Sequence, residues 1–339
     1  MNLTILFGGT SAEREISLLS GYGMARAYES LGHNVTLLDP ATGQTMKIRD
    51  YHISPPHATA PTPAELGALS QGSIFVDSLT SDAVRSCDCV VIGLHGVPGE
   101  DGTVQAVLEL LGKKFTGSGS RSSAVSIDKA YTKIIIEAAG VSTPKWNFIS
   151  SSTPQMLSNV MKDSVDKMKG GVVIKPNDQG STVGLTISTQ ADFDFEAGIR
   201  LAWQYSAGAL IEEYIEGREL TVTVLDGKPL PVVEIAPEGG FYDYHHKYTK
   251  GMTNYYCPAD LPEDLAKKLQ QSAMTVYNCC DARGYARIDY RLKDDGSFYC
   301  LEINTLPGMT ETSLVPKAAN AAGITFEQLC QTILDAAMR

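Results

Sequence analysis

Gly284-Tyr-Ala-Arg287-Ile-Asp289-Tyr-Arg291-Leu-Lys293 and Ser297-Phe-Tyr-Cys-Leu-Glu302-Ile-Asn304 are two short β-rich stretches separated by Asp294-Asp295-Gly296. Asp-Gly between such stretches is the strongest short signal for a hairpin. With Asp295-Gly296 as a two-residue loop, Asp289 stands opposite Glu302 and Arg287 opposite Asn304. Side chains alternate along a strand, so all four share one face. Directly opposed like charges destabilise a hairpin, and this face therefore calls for positive charge. One source is a hard cation: two carboxylates and an amide oxygen suit Mg²⁺, whose shell is usually completed by water and substrate phosphates. The other is Arg287 and Arg291, which would neutralise the acids on a solvated hairpin.

Upstream, the first hundred residues alternate strand and helix: Leu3 to Phe7, a helix from Glu15 to Leu31, Asn34 to Asp39, then Cys89 to Leu94. Such alternation indicates a parallel sheet with crossover helices, hence an α/β class. Thr42 to Gln71 is polar, carries Pro55, Pro56, Pro61 and Pro63, and reads as a surface insertion with little regular structure. A helix is expected from Ala124 to Ala139, ended by Gly140. Strands follow at Val172 to Lys175, Leu185 to Ser188, Ala209 to Ile215 and Glu219 to Leu225, then a helix from Pro262 to Cys280, the hairpin and a closing helix.

A chain of 339 residues has room for two or three domains and a cleft between them. No stretch approaches the roughly 18 uncharged apolar residues that span a bilayer. The start, Met1 to Gly8, lacks a basic leader and reads as a first strand, which places the protein in the cytoplasm and off the membrane. Seven cysteines without a repeated Cys-x-x-Cys argue against a disulfide framework or a zinc site, so Cys87, Cys89, Cys279 and Cys280 are expected as core thiols. A net charge of -11 disfavours nucleic acid, although local lysines can still bind a nucleotide.

Gly8-Gly9-Thr10-Ser11-Ala12-Glu13 joins the first strand to its helix, a turn that offers backbone N–H groups to an anion. It is half of a dinucleotide fingerprint, with Asp39 where a ribose-binding acid would stand, but the Glu13 charge would repel a pyrophosphate. Glu13 suits a substrate ammonium instead. No Gly-x-x-x-x-Gly-Lys-Ser/Thr occurs. Lys175 ends a strand before Gly180-Ser181-Thr182-Val-Gly184, whose backbone could cradle phosphate, and Lys129 could add a second charge. Each lysine taken alone reads as a solvated surface residue. His95, after an apolar strand, is either structural or functional, and the aromatic stretch Phe241 to Tyr256 is either a satellite core or a loop over a site.

Taken in order, Gly-Gly-Thr-Ser-Ala-Glu-Arg-Glu, His95-Gly-x-x-Gly-Glu-Asp-Gly102, Lys129, Lys175-Pro with its glycine loop, Ile211-Glu212, Arg287-Ile-Asp289 and Leu-Glu302-Ile-Asn304-Thr-x-Pro-Gly308-Met-Thr resemble D-alanine–D-alanine ligases of the ATP-grasp superfamily over nearly the whole chain. The resemblance implies an ATP-grasp fold preceded by a Rossmann-like parallel-sheet domain: an N-terminal domain at 1–117, a central lobe at 118–213 and a C-terminal lobe at 214–339. ATP would lie between the two lobes and both D-alanines would face the N-terminal domain.

By the same resemblance, Lys129 and Lys175 would grip the ATP phosphates, Glu212 and Glu219 would bind adenine and ribose groups, and the backbone of Glu213 and Ile215 would meet the adenine edge. Asp289, Glu302 and Asn304 would hold two Mg²⁺ or Mn²⁺ ions. Glu13 would receive the first ammonium, in a hydrogen-bonded set with Ser181 and Tyr248, and His95 would orient the first D-alanine. Arg287 and the Gly308 N–H would face the oxyanion of the tetrahedral intermediate. Ser313 and Leu314 would take the second carboxylate. Lys247 would meet the γ-phosphate from a closing loop that also carries His245 and His246. The implied reaction is D-alanyl-D-alanine synthesis for peptidoglycan, by a cytoplasmic enzyme that is commonly a homodimer. The alternatives are a D-alanine–D-lactate or other ATP-grasp carboxylate–amine ligase, an NAD-dependent oxidoreductase, and a binding protein without turnover.

Overall fold

The computed structural model describes residues 1–52, 67, 72–168, 170–180, 183–189, 193–237 and 252–339. Ser181, His245, His246, Lys247, Tyr248 and the prolines from Pro55 to Pro63 lie outside the described residues.

The N-terminal sheet runs β3 (Gln44–Met46), β2 (Asn34–Asp39), β1 (Asn2–Leu6), β4 (Cys89–Ile92), with β1 parallel to both of its neighbours. Leu3, Ile5, Leu6 and all of β4 are buried, as strands of a parallel sheet covered on both faces must be. The Arg14–Ser30 helix lies close against this sheet because Gly21 has no side chain: a Cβ there would meet the Phe7 Cβ at 2.4 Å. Part of the expected insertion is regular. The Gly43 N–H donates to the Asp39 carbonyl at 2.9 Å, and the reversed chain adds β3 antiparallel to β2, followed by a 3₁₀ turn at Ile48–Asp50.

The central sheet is antiparallel, in the order β5 (Trp146–Ser150), β8 (Gly208–Glu213), β6 (Val172–Pro176), β7 (Thr186–Ser188). Alternation divides its residues. Ile149, Val172, Ile174, Ala209 and Ile211 pack with Ile199 and Ala202 of the Phe195–Ala202 helix. Val173, Lys175 and Glu212 are left on the other face, where a cavity opens.

The C-terminal sheet contains β9 (Arg218–Leu225), β10 (Lys228–Pro229), β11 (Val233–Pro237), β12 (Thr253–Tyr256), β13 (Tyr285–Leu292) and β14 (Phe298–Asn304), in the order β12-β11-β9-β13-β14 with β10 beside β9. The Glu263–Cys279 helix covers Leu220, Val222, Ile288, Tyr290 and Cys300. The hairpin loop is not the expected two-residue one. Lys293 and Ser297 close a three-residue loop, Asp294-Asp295-Gly296, with Gly296 at φ +84. That shifts the register by one, and a bulge at Leu301 shifts it back, so Asp289 pairs with Glu302 and Arg287 with Asn304 after all.

The expected Ala124–Ala139 helix is two helices, Ser120–Ile127 and Lys129–Ala138. They break at Asp128, which leaves helical geometry and caps the second helix through the Tyr131 N–H at 3.0 Å. The cores interlock. Ile136 and Val141 belong to the C-terminal core, while Val315, Leu329, Ile333 and Leu334 of the last two helices, Leu314–Ala321 and Phe326–Met338, complete the N-terminal one. All seven cysteines are free thiols; Cys257 and Cys279 are half-buried and the rest buried.

Candidate active site

A cavity of about 160 Å³ separates the central and C-terminal sheets. Val173, Leu185, Ile187, Ile235 and Leu301 line it, so part of its wall is apolar, as a planar ring requires. The polar residues Lys129, Lys175, Glu212, Glu213, Glu219, Arg287, Asp289 and Glu302 line the same space, as do Ile215 and Leu314. Ten of the residues implicated by sequence thus meet at one place.

The strand link between the sheets forms one border. At Gly217 the backbone has φ +140, and a Cβ would fall 2.0 Å from the Leu292 carbonyl oxygen, so only glycine lets the chain pass this close to β13. Arg291 secures the link, donating from Nε to the Ile215 carbonyl at 3.1 Å and pairing with Glu219 at 3.4 Å. Among the described residues the Ile215 N–H makes no hydrogen bond, whereas the Glu213 N–H is used by the Lys145 carbonyl at 2.8 Å.

At the basic wall, Lys175 and Glu212 do not stand apart as separate ligands. Each oxygen of the buried Glu212 carboxylate lies 2.5 Å from an ammonium, one from Lys175 and one from Lys133. Burial would raise the Glu212 pKa, but the two lysines outweigh it and hold the carboxyl below its ordinary range. Burial likewise lowers the Lys133 pKa against the pull of Glu212, while Lys175, also facing Glu302, ends above its usual value. Sequence reasoning missed Lys133. The available signal was its position one helical turn after Lys129 and directly before Ile134-Ile-Ile136, on a helix that must bury one face.

Lys129 donates to the Gln179 carbonyl at 2.9 Å and lies 3.3 Å from Glu302. Arg287 forks onto Asp289 with contacts of 2.8 and 2.9 Å. The Asn304 Oδ1 accepts the Leu306 N–H at 2.8 Å and so retains a lone pair. Asn304 and Glu302 both border a second, polar pocket of about 20 Å³ beside the first. Among the described residues no three His, Cys, Asp or Glu side chains converge as a self-sufficient metal cage. The donor set is instead two facing carboxylates and one amide oxygen, which fits a hard divalent ion that takes its remaining ligands from water and phosphate.

Glu13 reaches this region from the N-terminal domain. A Cβ on Gly180 would lie 3.1 Å from its Oε2 and one on Gly96 3.4 Å, so the phosphate-side loop and the His95 loop close on its carboxylate. Asp39 is not available to a ribose. It accepts from the Gly9 and Ala41 N–H groups at 3.1 and 3.0 Å and pairs with Arg14 at 2.5 Å, so it shapes the glycine turn that presents Glu13.

Both nitrogens of the His95 ring, which the resemblance assigned to orienting the first D-alanine, lie within hydrogen-bond distance of protein groups. Its Nδ1 lies 3.0 Å from the Leu306 carbonyl and its Nε2 2.9 Å from the Ser20 hydroxyl, which also accepts the Met309 N–H at 3.2 Å. Burial would lower the His95 pKa, but the nearby Glu100, aided by Glu13, raises it above 6.5 overall. His95 thereby fastens the 305–309 loop, with Gly308, to the Arg14–Ser30 helix. Past this loop, Ser313 turns its hydroxyl back onto Thr310 at 2.7 Å. Among the described residues the N–H groups of Leu314 and Val315, at the start of the next helix, make no hydrogen bond, and Pro316 has none to offer.

The family model described as D-ala D-ala ligase N-terminus matches residues 2–118, and that described as D-ala D-ala ligase C-terminus matches residues 135–335. The D-alanine–D-alanine ligase of Syntrophotalea carbinolica is 39% identical over 332 residues, covering 98% of this chain and 94% of its own. Among solved structures, D-alanine–D-alanine ligase from Bacillus anthracis complexed with ATP is 27% identical with a TM-score of 0.79, covering 100% of this chain and 98% of its own. VanG D-Ala:D-Ser ligase from Enterococcus faecalis is 25% identical with a TM-score of 0.77, covering 99% of each chain. The expected ATP-grasp fold is therefore present. On sequence and fold together, the chain belongs to the D-alanine–D-alanine ligase family.

Proposed function

We propose that this chain is an ATP-dependent ligase that joins two D-alanines through a D-alanyl phosphate and releases ADP and phosphate. The observation that carries the reading is one cavity in which Lys129, Lys175, Arg287, Asp289 and Glu302 meet beside an apolar slot. A carboxylate is a poor electrophile, so its activation by phosphoryl transfer must come first. Two Mg²⁺ ions, held by Asp289, Glu302 and Asn304, would offset phosphate charge during that transfer.

The chain's own residues then do the rest. Lys129 and Lys175 bind phosphate oxygens, and Glu219 meets the ribose. Glu13 takes the ammonium of the first D-alanine and leaves its carboxylate toward the γ-phosphorus; attack there expels ADP. The amine of the second D-alanine attacks the acyl carbon, loses a proton, and phosphate departs. Arg287 and the Gly308 N–H stabilise the oxyanion that forms, and one such donor is typically worth about 3 kcal/mol of barrier. The open N–H groups of Leu314 and Val315 receive the second carboxylate. Closure over the site, the role the resemblance assigned to Lys247, Ser181 and Tyr248, would keep water from the acyl phosphate. The reading includes the division at 1–117, 118–213 and 214–339, a cytoplasmic homodimer and a role in peptidoglycan precursor synthesis.

The test is ADP release with Mg-ATP across D-alanine, L-alanine, D-lactate and D-serine, with product masses recorded. ADP release that requires D-alanine, with a product of dipeptide mass, supports the proposal. ADP release indifferent to D-alanine would end it, and a depsipeptide or D-alanyl-D-serine product would reassign the second substrate.

A further inference from the structure

Lys133 is fully buried, yet its ammonium does not border the cavity. It lies behind Glu212, 2.5 Å from the carboxylate, and donates to the Thr143 hydroxyl. Thr143 in turn donates to the Cys300 carbonyl at 2.8 Å, on the strand that carries Glu302. Lys175, on the other side of the same carboxylate, does border the cavity. Lys133, Lys175 and Glu212 together hold two positive charges and one negative, and of the two ammonium groups only that of Lys175 borders the cavity, where it also faces Glu302.

A buried carboxylate needs a full countercharge. With Lys133 present, Lys175 shares that task and keeps its charge for a ligand. With Lys133 absent, Lys175 would be the one ammonium left on Glu212 among the described residues, and that pair would carry no net charge. We infer that Lys133 is a positioning residue for triphosphate: by neutralising Glu212 from behind, it releases the Lys175 ammonium to a phosphate. The inference rests on the cavity being the nucleotide site, and it assigns a role to a side chain that touches neither substrate.

The test is calorimetric binding of ATP, ADP and adenosine, without D-alanine, to wild type, Lys133→Met and Lys133→Gln, with thermal unfolding as a check on folding. Adenosine occupies the same slot but carries no phosphate. Loss of one unit of charge at this range is expected to weaken ATP and ADP about tenfold or more while adenosine binding holds. The Glu212→Gln background removes the need for a rear countercharge and tolerates a neutral residue at 133. There, adding Lys133→Met is expected to change ATP binding by less than about threefold. Equal weakening of adenosine, unchanged ATP affinity in the single variants, or an undiminished Lys133→Met effect beside Glu212→Gln would each overturn the inference. Wild-type protein that binds neither ATP nor ADP would remove the nucleotide assignment and this inference with it. Wild type that binds, beside variants that bind equally well, removes this inference alone.

Discussion

Asp289 and Glu302 face each other across β13 and β14, and each is held by a different base, Arg287 on the first and Lys129 on the second. The two acids and two bases form a locally neutral set. Each base also belongs to the group that would meet phosphate or oxyanion, so the residues that receive ligand charge also screen the acids before it arrives.

Glu302→Gln removes one of the two opposed charges. The fold is expected to persist, because the change relieves the repulsion between Asp289 and Glu302 and leaves buried Lys129 its bond to the Gln179 carbonyl. Turnover is expected to fall about 100-fold or more, with loss of the response to Mg²⁺. Steady-state rates across a Mg²⁺ titration, beside a melting curve, check both halves; wild-type kinetics would contradict the role.

Arg287→Lys preserves charge but not the planar fork that grips Asp289 at two points. The expected result is a kcat lower by about 100-fold with ATP affinity nearly unchanged, since the loss lies at the oxyanion. Separate measurement of ATP binding and kcat decides it, and a variant that loses ATP binding instead would place Arg287 in the nucleotide site.

His95 gives a pH signature. Its pKa in the folded protein is raised above 6.5 because Glu100 outweighs burial. A group raised on folding stabilises fully below its unfolded value, and that contribution disappears as pH climbs through the folded value. Wild type should therefore exceed His95→Gln in melting temperature by most below pH 6.5 and by progressively less above it. A gap that widens with rising pH would show the opposite sign.

Gly217→Ala places a methyl group 2.0 Å from the Leu292 carbonyl oxygen at a φ of +140. The expected cost is about 2 to 4 kcal/mol, from strain rather than lost contacts. Urea unfolding midpoints measure it, and a neutral result would mean that the link between the sheets yields easily.

Much of this architecture was readable from the chain. Apolar runs at Leu3 to Phe7 and Cys89 to Leu94, with a helical stretch between, were enough for the parallel sheet. Asp-Gly flanked by alternating residues was enough for the hairpin. The Asp289–Glu302 pairing was read correctly through two errors that cancel, since the longer loop and the Leu301 bulge each move the register by one. A sequence shows that a turn occurs, but loop length depends on how the strands twist together.

Elements and their faces follow from the amino-acid order because φ/ψ preference and side-chain periodicity act between chain neighbours. The cavity was decided by long-range packing. Lys133 and Glu212 are 79 residues apart, His95 and Leu306 are 211 apart, and Tyr28 donates to the Cys330 carbonyl 302 residues away. Burial turns Lys133 from an ordinary helix residue into a countercharge, and it gives His95 a hold on the 305–309 loop. Both results depend on which groups are driven out of water together, and only the folded chain settles that.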